Sequence, residues 1–130
     1  MQKQLEELAH RYVEVVSDEN FMGLARVVLR EKVGQPELSK EKFERIRRGQ
    51  TGLGEWMREA ARQNALELAN PAEDARRFSA MLSEFAFWPQ LFSGQPPMNG
   101  EEKERVIAET VRLFLRGKGC RDGEGEAEER

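Results

Sequence analysis

The chain has 130 residues, 35% of them charged and 38% hydrophobic, with a formal net charge of −3. That size fits one domain with a core of useful volume, and periodic apolar positions exclude a disordered chain. The negative charge gives no footprint for nucleic acid, no apolar run reaches membrane-spanning length, no signal-peptide pattern precedes the first helical stretch, and the lone His10 and lone Cys120 argue against a metal site, a cofactor or an internal disulfide, so a cytoplasmic location is the default.

From the first residues, Gln2–Val16 places Leu5, Leu8, Ala9, Tyr12, Val13 and Val16 on one helical face. It starts without a visible cap or preceding turn, which suggests a chain cut from something longer. Ser17 or Asp18 caps the next helix, Asn20–Lys32; with Ser17 as the cap, Val16 and Phe21 take the two positions of a hydrophobic staple. Phe21, Met22, Leu24, Ala25, Val27, Val28 and Leu29 make this helix apolar nearly all round, so it is expected at the centre of the fold, with Arg26 as its odd residue. Gly34-Gln35-Pro36 breaks the chain. Ser39 caps a short charged helix, Lys40–Arg48, with Leu38 and Phe43 as a staple and Phe43 and Ile46 inward.

Gly49, Gly52 and Gly54 crowd the next junction, where a kink or mobile corner is expected. Leu53–Ala65 carries Leu53, Trp56, Met57, Ala60, Ala61 and Ala65 at helical spacing. The chain is organised around the stretch that follows, NPAEDARRFSAMLSEFAFWPQL, over Asn70–Leu91. Asn70 caps it, Pro71 takes the first helical position and Glu73 stands where a capping-box acid reaches back. Ala75, Phe78, Leu82, Phe85, Pro89 and Phe92 form a stripe that Met81 and Trp88 widen, and Phe85–Trp88 is apolar on every side. A helix Pro71–Phe92 therefore buries more than one face, for which a second copy of the chain gives room. Gly94-Gln95-Pro96-Pro97 ends it, and Asn99 with Glu102 opens a last helix, Glu101–Arg116, with Val106, Ile107, Thr110, Val111, Leu113 and Phe114 inward and Gly117 as its stop. Residues 118–130 are rich in Gly and Glu and read as a disordered acidic tail. The fold class is all-α with about six helices and no strand.

The pattern Asn70-Pro71, Ala75, Arg77-Phe78, Leu82, Phe85 and Trp88-Pro89-Gln90-Leu91, followed by Glu104-Arg105-Val106-Ile107 and Leu113-Phe114-Leu115-Arg116-Gly117, resembles the C-terminal half of TetR-family transcriptional regulators of the AefR-like type. Phe21 to Pro36-Glu37-Leu38 resembles the family's preceding helix and its break. The resemblance covers most of residues 5–117 and implies an orthogonal bundle whose last two long helices form a dimeric four-helix bundle. It also implies a small-molecule pocket among the earlier helices and a regulatory domain that senses a small hydrophobic effector. The family's N-terminal helix-turn-helix head has no counterpart here, and Gln2–Val16 looks like the helix that normally follows it. DNA contact is then expected only through that head, and the chain reads either as a fragment of a regulator or as a natural headless relative. The expected homodimer interface is Leu82, Phe85, Trp88, Pro89, Val111 and Phe114.

No nucleophile motif, phosphate loop or metal-ligand spacing is present, so an enzyme is not expected. Tyr12 is either a core tyrosine or a polar handle in the pocket. Arg26 either pairs with Glu59 or Glu84 or meets an acidic ligand. Trp56 and Met57 suit core packing, and Met22, Met57 and Met81 equally suit a tolerant pocket. The candidate ligand-binding set is Tyr12, Met22, Arg26, Trp56, Met57, Phe78 and Met81. A headless helical interaction module without a ligand is the alternative. His10 is placed at the edge of its helix without a role, and Arg45, Arg47 and Arg48 on a solvated face.

Overall fold

A computed structural model describes residues 1–32 and 52–119. The short helix at Lys40–Arg48, the break at Gly34–Pro36, the basic run and the tail beyond Gly119 lie outside them. The described residues form α1 (Gln2–Ser17), α2 (Glu19–Lys32), α3 (Leu53–Arg62), α4 (Pro71–Ala86), α5 (Trp88–Ser93) and α6 (Gly100–Gly117), with no strand among them. The three long helices α1, α4 and α6 pack on one another; α3 lies against α4, and α2 spans from α1 to α5.

Each boundary has a local cause. Asp18 is both the extended residue that ends α1 and the cap of α2, its Oδ2 accepting the Phe21 amide at 3.0 Å. The cap thus falls on Asp18, and Val16 and Phe21 do not stand at staple positions. Asn70 Oδ1 accepts the Glu73 amide at 3.1 Å and Asn99 Oδ1 the Glu102 amide at 2.7 Å, as their positions in the sequence suggest. α3 stops at Arg62, short of Ala65. Asn64 takes a left-handed φ of 61°, and the Asn64 and Ala65 amides turn back to the carbonyls of Ala61 and Ala60, each at 3.0 Å. That is the Schellman arrangement, which asparagine tolerates better than most residues.

The expected helix Pro71–Phe92 is divided. Phe87, at φ −111° and ψ −57°, separates α4 from α5. Pro89 is the reason: it has no amide to give the Phe85 carbonyl, and its ring crowds that carbonyl, so the helix restarts on a new axis. The Phe87 amide still reaches Ser83 O at 2.9 Å, and Phe87 O takes the Leu91 amide at 3.0 Å. Gly94, at φ 67°, ends α5 in the left-handed region that glycine enters without penalty.

The core is built where the periodic faces meet. All six residues expected on the inner face of α1 are buried, with Leu5, Ala9 and Val16 fully so. Ala75, Phe78, Leu82 and Ala86 of α4 meet Ile107, Val111, Phe114 and Leu115 of α6, and the Phe78 and Phe114 rings touch edge to face at 5.2 Å. Two expectations fail here. Leu113 points outward at 62% exposure, and Leu115 takes its place inside, because the buried stripe of α6 runs 106/107, 110/111, 114/115. α2 is not central: Met22 and Ala25 are buried, but Leu24 and Val27 are 55% and 44% exposed. Among the described helices, α1 and α5 are its main neighbours.

Candidate functional site

Tyr12 lies fully buried on the inner face of α1, pointing across to α4. Its hydroxyl shares a hydrogen bond of 2.7 Å with Ser83 Oγ. Ser83 sits among Phe78, Ser79, Leu82 and Ala86 on the buried face of α4, so this polar contact stands inside an apolar wall. A buried hydroxyl pair of this kind fixes the relative position of two helices, because either group left alone would carry a desolvation penalty.

Around it, Met22, Met57 and Phe78 belong to the same continuous core, at 4%, 0% and 0% exposure, with Trp56 and Met81 packed at its edge. Six of the seven expected ligand-site residues thus lie in or against the one core that α1, α2, α3 and α4 share. Arg26 is the exception. It is exposed, and its Nη2 donates to the Gln90 backbone carbonyl at 3.3 Å instead of pairing with Glu59 or Glu84. Gln90 itself is buried, and its Nε2 donates to Ala86 O at 2.6 Å and Ser17 Oγ at 3.2 Å. Arg26, Ser17 and Gln90 therefore tie α2 and the end of α1 to α5.

Trp56 is half-buried, and its indole N–H donates to Gln4 Oε1 at 3.1 Å. With Leu8, Glu7, Arg11, Gly52 and Glu55, these two residues line an open groove of about 390 Å³ between α1 and the start of α3. Leu8, in its wall, stands one turn before the buried Tyr12 on the same helix face. A second open groove, of about 470 Å³, lies between the end of α1 and α2, floored by Val15, Phe21 and Leu24.

The expected interface residues divide by burial. Leu82, Val111 and Phe114 are 0%, 0% and 5% exposed within the single chain, so they serve its own core. Phe85 is 51% exposed, and Trp88 and Pro89 are half-buried. In the sequence Leu82 and Phe85 share one apolar stripe over Pro71–Phe92. The stripe in fact turns inward at Ala75, Phe78 and Leu82 and leaves Phe85 just beyond its edge. Trp88 stacks on Phe92, with ring planes 12° apart and centroids at 5.4 Å, and Phe92 is 70% exposed.

Ser83 has no role in the sequence reading, and Ser17 and Gln90 enter it only as a possible helix cap and as part of a family-like run. The available signal was weak: a serine at the spacing of Ser79 and Ser83 inside an apolar stripe, and a glutamine following Trp88-Pro89. His10, read as idle, meets Glu104 of α6 at 3.3 Å on the surface. Among the described residues no group of three or more His, Cys, Asp or Glu side chains could hold a metal ion, and no helix is long and apolar enough to cross a membrane. The described residues thus offer an apolar core that holds the Tyr12–Ser83 pair, an open groove between α1 and α3, and exposed apolar side chains at Phe85, Phe92 and Leu113.

Residues 3–117 match the family model described as the AefR-like transcriptional repressor, C-terminal domain. The chain belongs to that family and is a C-terminal domain of the TetR class of transcriptional regulators, a family of repressors and not of enzymes. The fold is similar to the crystal structure of a TetR family transcriptional regulator from Pseudomonas syringae pv. tomato str. DC3000, with a TM-score of 0.76 and 28% sequence identity over 89% of this chain. The match covers 61% of that regulator's chain. No curated protein matches the sequence.

Proposed function

We propose that this chain is the dimerising, effector-sensing part of a cytoplasmic TetR-family repressor. The observation that carries the reading is the outer face of the last helices, where Phe85 and Leu113 are 51% and 62% exposed on α4 and α6, with Phe92 at 70% on α5 beside them. Exposed side chains of this size on three successive helices are what an apolar interface between copies would cover. A two-fold axis through that face would cover it with its own copy and make a four-helix bundle of α4 and α6. The test is light scattering at micromolar concentration. The unmodified chain should run as a dimer, and Phe85→Glu with Leu113→Glu as a folded monomer. A unmodified chain that is a stable monomer overturns the reading.

The ligand half of the proposal rests on the Tyr12–Ser83 pair and on the groove whose wall includes Leu8, one turn before Tyr12. The groove of about 390 Å³ is open, with Leu8 and Trp56 as its apolar lining and Gln4, Glu7, Arg11 and Glu55 as polar groups that could orient a bound molecule. The effector would be hydrophobic or amphipathic. It would enter past Trp56 and Gly52, slide over Leu8 and Met57, and place its polar group on the Tyr12 hydroxyl. Binding to the folded state alone raises the melting temperature, by about 2.7 kcal/mol of stabilisation at a hundredfold excess over Kd. Trp56 fluorescence in a Trp88→Phe background should change with it. A broad panel of apolar compounds that moves neither melting nor fluorescence favours the alternative, a helical interaction module without a ligand. No DNA reading is proposed for these 130 residues, whose net charge is −3; specific retardation of an operator fragment by the purified chain would contradict that.

A further inference from the structure

The far end of the α4–α6 pair holds an ionic contact that neither the proposed effector site nor the proposed dimer face uses. Asp74 is almost fully buried in the first turn of α4, a place where an acid normally sits in water opposite the helix dipole. Its Oδ1 receives the Lys118 ammonium at 2.8 Å and the Arg77 guanidinium at 3.2 Å. Lys118 is the residue that ends α6, and its side chain is only 27% exposed. The same residue's backbone carbonyl accepts the amide of Glu67, in the loop between α3 and α4, at 2.8 Å. Gly119 follows at φ 66°, and a β-carbon there would stand 3.1 Å from Glu67 Cδ. Two independent bonds, one ionic and one backbone, thus hold the end of α6 in the corner from which α4 starts.

Their position gives them a further consequence. Asp74 is one turn before Phe78, and Lys118 is one turn after Phe114. The Asp74–Lys118 pair and the Phe78–Phe114 ring contact are therefore successive rungs of one antiparallel ladder between α4 and α6. Phe78 belongs to the apolar wall around Tyr12, and α6 carries the exposed Leu113. We infer that Asp74, Lys118 and the Glu67 amide form a clasp that sets the register of α6 on α4, and so couples the core around Phe78 to the dimer face. Asp74 and Lys118 are positioning residues: neither belongs to the residues proposed for the effector site or for the dimer face. The coupling to the dimer rests on the reading proposed above, whereas the clasp itself does not.

The experiment uses the whole chain with Lys118→Gln, Asp74→Asn and, as the conservative control, Lys118→Arg. Lys118 lies at the end of a helix, so its substitution leaves the fold intact even if Asp74→Asn does not. The readouts are hydrogen exchange at the Glu67 amide by nuclear magnetic resonance and the dimer dissociation constant by sedimentation. Lys118→Gln should reduce protection at Glu67 and weaken the dimer, each by about tenfold, while Lys118→Arg keeps both near the unmodified values. Unchanged protection at Glu67 overturns the clasp. Lost protection with an unchanged dissociation constant overturns the coupling, and a Lys118→Arg variant that behaves like Lys118→Gln overturns the ionic assignment. If the unmodified chain is a monomer, the dimer reading fails by itself. The clasp is then judged by exchange at Glu67, Phe114 and Leu115, which should all lose protection in Lys118→Gln if the register of α6 depends on it.

Discussion

Helices α2 and α4 read alike in the sequence and end differently in the fold. Both carry apolar residues on more than one face. α4 lies among α1, α3, α5 and α6 and buries Ala75, Phe78, Leu82 and Ala86 to 1% exposure or less. α2 reaches only α1 and α5 among its principal neighbours and leaves Leu24 and Val27 in the open. Apolar content fixes how much surface a helix can bury, but the number of helices that topology brings against it fixes how much it does bury. The difference should therefore show in stability and not in composition.

The strongest way to break the comparison is to truncate one residue on each helix. Phe78→Ala removes a fully buried ring and its contact with Phe114, and should cost about 3–5 kcal/mol, read from denaturant unfolding. Leu24→Ala on α2 should change stability by no more than about 0.5 kcal/mol, since most of that side chain already meets water. Equal losses at the two positions would mean that α2 is covered in solution by something that restores its central role.

A smaller effect sharpens what α4 contributes. Tyr12→Phe keeps the ring in place and removes only the hydroxyl that meets Ser83 at 2.7 Å. Ser83 can turn its own hydroxyl back to a carbonyl one turn earlier, so the loss should be about 1 kcal/mol in the same unfolding assay. In the presence of an effector that uses Tyr12, the variant should also lose the melting shift that the unmodified chain shows. A Tyr12→Phe variant with full effector response would leave the hydroxyl with a structural role alone.

These contrasts also mark how far the sequence can be read. The inner face of α1 was fully legible, because one uninterrupted period of apolar residues has a single way to meet a core. The asparagine caps were legible too, since their bonds close within three residues. The break at Phe87 was written in Pro89, but the apolar run through Phe85–Trp88 masked it. Which of Leu113 and Leu115 faces inward depends on small differences in phase, and the charged neighbours do not resolve it. The long-range polar pairs were out of reach: Tyr12 and Ser83 are 71 positions apart, and Arg26 meets a backbone carbonyl, which has no side-chain signature. Asp74 read as an ordinary first-turn acid, and only the return of α6 to that corner makes it a buried one.

The least effect is expected where a charge pair stays in water, and α3 supplies the case. Glu59 accepts from the Arg62 guanidinium and from Gln63 Nε2, the latter at 2.6 Å, and both pair members are half or more exposed at 50% and 71%. The Arg62 hydrogen bond first, and the Gln63 bond after it, hold the Glu59 carboxyl below its ordinary pKa, while Glu59 raises that of Arg62. A carboxylate with a depressed folded pKa adds stability above its unfolded value, and that contribution fades as pH falls through the folded one. Exposure to water screens the contribution, and holding two long side chains in one geometry offsets much of the rest. Glu59→Gln should therefore leave the melting temperature at pH 7 within the scatter of replicate measurements, and should leave the acid limb of the melting profile in place. The same pair of scans on Asp74→Asn, whose acid is buried against Lys118, should separate clearly from the unmodified chain at pH 7. A Glu59→Gln shift as large as that of Asp74→Asn would show that exposure does not decide the worth of a charge pair in this fold.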